Sequence, residues 1–141
     1  MKNKQVFIGI DVSKSTLDVF VHDIKYHFVI ENGPAGFVIF LETIYKQLNL
    51  RKVEILVCFE NTGKYSRMFS VFLQTEGIDF VMEPALKIKK SLGMTRGKND
   101  KVDSRRIANY ASEKKEKLNP TILSGEKIDK MKSLLALREK C

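Results

Sequence analysis

The chain has 141 residues, about one domain with an ordinary core, and 43% of them are apolar. Its formal charge of +8 suggests a polyanionic partner, while two cysteines, Cys58 and Cys141, make neither a disulfide framework nor a thiolate metal cluster. No apolar run approaches the roughly 18 residues that a membrane-spanning helix needs. The basic start Met1-Lys2-Asn3-Lys4 leads into an apolar run that Asp11 ends too early for a signal peptide, so a cytoplasmic chain without a membrane partner is expected.

Val6-Phe7-Ile8-Gly9-Ile10 reads as a buried strand running straight into Asp11, followed by the polar turn Ser13-Lys14-Ser15. A carboxylate half out of water at a strand end is costly unless a cation sits on it. Residues 17–21 and 26–30 are rich in β-branched and aromatic side chains, and short links make them antiparallel neighbours. Asp18, inside the second strand, is read as facing solvent. Pro34 opens a helix whose apolar stripe is Phe37, Phe40, Leu41, Ile44, Tyr45 and Leu48. Residues 53–59 form a fourth strand, apolar enough to be covered on both faces, and it ends at Glu60. After the turn Asn61-Thr62-Gly63, a second helix carries Tyr65, Met68, Phe69, Phe72 and Leu73, and Gly77 stops it.

Residues 78–82 make a short fifth strand. Pro84 then opens a helix to about Leu92, bearing Lys87, Lys89 and Lys90. A glycine-containing loop over 93–99 precedes a fourth helix from near Asp100 to about Ser112. Residues 113–123, with Pro120, read as a linker. Ile128, Met131, Leu135 and Arg138 then fall at helical spacing up to the last residue, as in a chain that continues. The expected organisation is a catalytic domain over 1–112, the linker over 113–123, and over 124–141 the start of a helical region leading to a C-terminal domain.

A meander followed by crossover units implies an α/β, ribonuclease-H-like fold: a mixed five-stranded sheet with helices on both faces. In that arrangement the first and fourth strands are neighbours, so Asp11 and Glu60 meet at one end of the sheet. Asp100 and Asp103 are three apart and share one face of the expected helix, along with Ile107. Each acid has a plainer role when taken alone. Asp11 and Glu60 can mark strand ends reaching water, and Asp100 and Asp103 can cap a helix. Together they form a site for Mg²⁺ (or Mn²⁺), hard ions that take carboxylate oxygens and promote phosphodiester cleavage. Nearly all of the surplus positive charge lies between Lys87 and Lys117, where only Asp100, Asp103, Glu113 and Glu116 oppose it. That pattern suits nucleic acid.

Three blocks carry a family resemblance: Phe7-Ile8-Gly9-Ile10-Asp11-Val12-Ser13-Lys14, Glu60-Asn61-Thr62-Gly63-Lys64-Tyr65, and Lys98-Asn99-Asp100-Lys101-Val102-Asp103. In order and spacing they resemble the N-terminal, RuvC-like domain of IS110-family transposases, with its Asp-Glu-Asp-Asp set. Asn99 stands where that family usually has threonine, and caps a helix equally well. The resemblance implies that Asp11, Glu60, Asp100 and Asp103 are the catalytic, metal-binding acids. It makes Lys14 and Lys98 candidate phosphate contacts, and Lys64, Lys90, Arg96, Lys101, Arg105 and Arg106 complete the expected nucleic-acid face. It also implies DNA strand cleavage and rejoining during transposition, a guide RNA as partner, a homo-oligomer (dimer or tetramer), and a C-terminal domain supplying a serine. The alternatives are a standalone endonuclease of the Holliday-junction-resolvase type and a non-catalytic nucleic-acid-binding module.

Overall fold

The computed structural model describes residues 4–91 and 103–123. Asp100, Arg96, Lys98 and Lys101, the loop expected over 93–99 and the helical tail from 124 lie outside the described residues. Three strands, β1 (Val6–Val12), β2 (Thr16–Val21) and β3 (Tyr26–Glu31), are followed by α1 (Pro34–Glu42) and β4 (Ile55–Glu60). Then come α2 (Lys64–Glu76), β5 (Phe80–Glu83), α3 (Ala85–Ser91) and α4 (Ser104–Glu113). The sheet order is β3-β2-β1-β4-β5. β1 pairs antiparallel with β2 and parallel with β4, and β4 pairs parallel with β5. This is the mixed five-stranded sheet that the element order implies.

The period-2 alternation of β1 divides the core in two. Val6, Ile8 and Ile10 join the cluster under α1 and α2, where Phe37, Phe40, Phe59, Phe69 and Phe72 interlock; the rings of Phe37 and Phe72 lie 4.9 Å apart. Phe7 faces the other way, joining Leu56, Cys58 and Val81 beneath Ile88 of α3 and Ile107, Tyr110 and Ala111 of α4. α4 crosses β1 at Gly9. A Cβ there would fall on the Ser104 carbonyl oxygen and the Ala108 amide nitrogen, so only glycine admits the helix at this depth.

Several boundaries differ from expectation for local reasons. The first helix passes at Glu42 into a π-helical turn, Thr43–Gln47, where the Thr43 hydroxyl donates to the Ile39 carbonyl at 2.8 Å. β4 starts at Ile55 because Lys52–Glu54 form a 3₁₀ turn, with the Glu54 carboxylate accepting from the Arg51 N–H at 2.9 Å. Gly77 ends α2 in the left-handed conformation, φ 77, as anticipated. The fourth helix begins at Ser104 rather than near Asp100. Asp103 is extended, and its Oδ1 accepts from the Arg106 N–H at 3.0 Å as an N-cap. Beyond α4, residues 114–123 dock on the sheet edge: Thr121 N–H donates to the Phe80 carbonyl at 2.8 Å, and Leu118 is buried.

Candidate active site

The register places four carboxylates in one transverse row. Asp11 pairs with Asp18 across the antiparallel ladder, and Glu60 pairs with Glu83 across the parallel one. Ile10 opposite Phe59 brings the next two residues, Asp11 and Glu60, side by side. Residues opposed across a ladder share a face, and here it is the face that α4 covers. The row therefore reads Asp18, Asp11, Glu60, Glu83, at the end of the sheet where β1 and β4 finish.

The outer two acids are held by protein groups. Asp18 Oδ1 accepts from the Ser104 hydroxyl at 2.8 Å and lies 2.5 Å from His27 Nε2. Glu83 Oε2 accepts from the Tyr110 hydroxyl at 2.7 Å and lies 3.1 Å from Lys87 Nζ, and it is nearly buried. Burial, with the Glu83 bond, pushes the Tyr110 hydroxyl well above its ordinary pKa.

The inner two sit at the centre of the row. Glu60 is partly buried, and burial raises its pKa; Lys89 on α3 lowers it and Asp11 raises it again. Electrostatically, then, Asp11 and Glu60 feel each other as like charges, the condition under which a hard divalent ion is welcome. Glu60 is set by a tight turn. Asn61 N–H extends the ladder to the Glu83 carbonyl at 2.9 Å, and Asn61 Oδ1 accepts from Gly63 N–H at 3.0 Å. Gly63 adopts φ 64, which favours glycine. Thr62 Oγ1 in this turn is buried with no hydrogen-bond partner among the described residues.

Asp103 is exposed at the N-terminus of α4, next to the Ser104 that binds Asp18. It is not on a helix face, as its expected partnership with Asp100 required; capping holds it instead. Among the described residues no three His, Cys, Asp or Glu side chains come close enough together to hold a metal ion. The donor set that fits such an ion in kind is the Asp11–Glu60 pair, two hard oxygen ligands that repel each other.

Of the expected nucleic-acid contacts, Lys14 is exposed in the turn after β1 and Lys64 opens α2, its Nζ 5.5 Å from the Tyr65 ring. Tyr65 itself is 37% exposed, not core as its spacing suggested, because it begins the helix above the sheet end. Lys90 lines a cavity of about 390 Å³ with Lys87, Lys114, Lys117 and the buried Tyr110. Arg105 and Arg106 are exposed on the first turn of α4. Sequence reading missed Asp18 and Glu83 as members of the row. Glu83 carried a signal, ending a strand before Pro84 as Glu60 ends its own; Asp18 carried none, because its cover comes from a helix distant in sequence.

A family model described as a transposase, DEDD_Tnp_IS110, matches residues 8–141. No match was found among curated proteins. Among the described residues no helix is long and apolar enough to cross a membrane.

Proposed function

The chain belongs to the IS110-type DEDD transposase family, and from that premise we propose that it is the metal-dependent domain that cuts and rejoins DNA strands during transposition. The observation that carries this reading is the juxtaposition of Asp11 and Glu60 at the ends of two adjacent parallel strands, with Asp11 adding to the rise in the Glu60 pKa. Asp11 and Glu60 would hold Mg²⁺ or Mn²⁺, with Asp100 and Asp103 brought in from the N-terminal side of α4. The bound ion would supply activation of the attacking oxygen and neutralisation of the leaving one.

The protein's own residues have separate tasks. Gly9 lets α4 approach β1, and the Ser104–Asp18 bond fixes the start of that helix, so Asp103 is carried towards the row. Lys89 offsets part of the negative charge around Glu60 before any ion arrives. Lys14, Lys64, Lys90, Arg96, Lys98, Lys101, Arg105 and Arg106 contact phosphates of DNA and of a guide RNA, giving affinity while base pairing selects sequence. A homo-oligomer brings two DNAs together.

Asp11→Ala or Glu60→Ala is expected to lower strand exchange by the protein by at least roughly a hundredfold, with circular dichroism unchanged. The assay is recombination between donor and target plasmids in Mg²⁺. Undiminished exchange by either variant would remove the site.

A further inference from the structure

A cavity of about 360 Å³ lies on the α4 face of the sheet, away from the acid row, lined by Phe20, His22, Lys25, Arg105, Arg106 and Asn109. Among the described residues that line it, Lys25, Arg105 and Arg106 are cationic, Asn109 adds an amide, and none is a carboxylate. His22 Nδ1 is buried with no hydrogen-bond partner among the described residues; Asp23 Oδ1, at 3.8 Å, is too far to serve. The other Asp23 oxygen is engaged by the Phe7 N–H at 3.0 Å.

Lys25 is unusual on backbone grounds. It closes the β2–β3 turn, its N–H donating to the His22 carbonyl at 3.3 Å, and it adopts φ 52. Glycine or asparagine is the economical choice at such a hairpin position. A lysine held there trades backbone ease for a charge at the mouth of the cavity, and strain of this kind points to a use for the side chain.

We propose that this cavity is a phosphate-holding subsite for a nucleic-acid strand, separate from the acid row. The inference rests on the nucleic-acid reading above and adds a location to it. Phe20 is buried and its ring lies under the Arg105 guanidinium, 5.2 Å from centroid to Cζ, so it offers no free face for a base to stack on. Recognition is therefore by charge and hydrogen bonds to the backbone, which carry affinity rather than sequence. Arg105 is pre-oriented by that ring contact, and its planar fork suits phosphate oxygens. His22, just past the end of β2, lies four residues beyond Asp18, about 13 Å at the usual strand rise. One phosphate cannot reach both places, but a strand laid across this face can.

The test is fluorescence anisotropy with labelled single-stranded DNA and RNA of one sequence, titrated with the 141-residue chain at several salt concentrations. Lys25→Asn keeps the left-handed turn and removes the charge; Arg105→Gln removes the fork. Lys46→Gln, an exposed lysine in the turn after α1, controls for net charge. Each pocket variant is expected to bind about three- to tenfold more weakly than the control, and the double variant to flatten the salt slope by about 1.4, two contacts at ~0.7 each. An effect confined to one labelled strand identifies that strand as the occupant and supports the subsite. If the pocket variants bind like Lys46→Gln while wild type binds well, the subsite is wrong and the nucleic-acid reading stands. If wild type binds neither strand, both fall. Should Arg105→Gln fail to fold, Lys25→Asn decides alone.

Discussion

At the scale of single residues, Glu60 concentrates the chemistry. Its carboxyl holds a proton more firmly in the folded chain than in the unfolded one, because of burial and of Asp11, against the opposing pull of Lys89. An acid shifted upward penalises folding when ionised: the penalty is absent below the unfolded-state pKa and complete once pH exceeds the folded one. At pH 7 the metal-free protein therefore carries all of it. Glu60→Gln is expected to melt roughly a few degrees higher than wild type at pH 7 without metal, the two converging below about pH 4. Mg²⁺ should then raise the melting temperature of wild type and do little for the variant. Equal gains from Mg²⁺ in both proteins would show that Glu60 holds no ion. Asp11 and Glu60 were legible because each interrupts an apolar run at its end. Asp18 was not, since a polar residue within a strand looks alike whether water or a covering helix faces it. Only the placement of α4 distinguishes the two, and that is a tertiary fact. Asp103 shows the converse: its capping role was readable, and the geometry of the cap moved the helix start past it.

At the scale of elements, the interface between α4 and β1 decides whether the site assembles. The helix lies directly on the strand because Gly9 has no side chain, and Ser104 and Ala108 occupy the space a Cβ would take. Gly9→Ala is expected to destabilise the fold by about 1–3 kcal/mol, the usual cost of overpacking, and to lift α4 off the sheet. Lifting α4 breaks the Ser104–Asp18 bond and withdraws Asp103, so cation-dependent stabilisation should fall along with the melting temperature. Denaturant titration with and without Mg²⁺ reads both; a variant as stable and as Mg²⁺-responsive as wild type would mean the helix is not seated by that contact. Among the described residues the strands and α-helices could be read in chain order because their apolar periods are clean and Pro34, Gly77 and Pro84 punctuate them. The π-helical turn after α1 and the 3₁₀ turn before β4 could not. Both depend on particular hydrogen bonds, Thr43 to Ile39 and Glu54 to Arg51, that leave the hydrophobic pattern unchanged.

For the whole molecule, the question is where the folded domain ends. Composition over 113–123, with its lysines and Pro120, suggests a linker, yet the chain there is tied to three elements. Leu118 is buried against the cluster under α4, and Thr121 bridges β5 by donating from its N–H to Phe80 and accepting from Met82 N–H at its hydroxyl, 2.9 Å. Leu123 N–H donates to Gln74 Oε1 of α2 at 2.9 Å. These bonds occupy the exposed edge of β5, which would otherwise offer a template for another strand. They also clamp the end of α4 while Ser104 and Gly9 hold its beginning, so the helix above the acid row is fixed at both ends. Leu118→Ala should therefore cost about 2–5 kcal/mol, as buried leucine truncations do, and a protein cut after residue 112 should melt well below one cut after 123. The shorter protein should also self-associate, because its β5 edge is bare, whereas Leu118→Ala should stay monodisperse. Matching melting curves for the two truncations would return 113–123 to the status of a linker and leave α4 held from one end only.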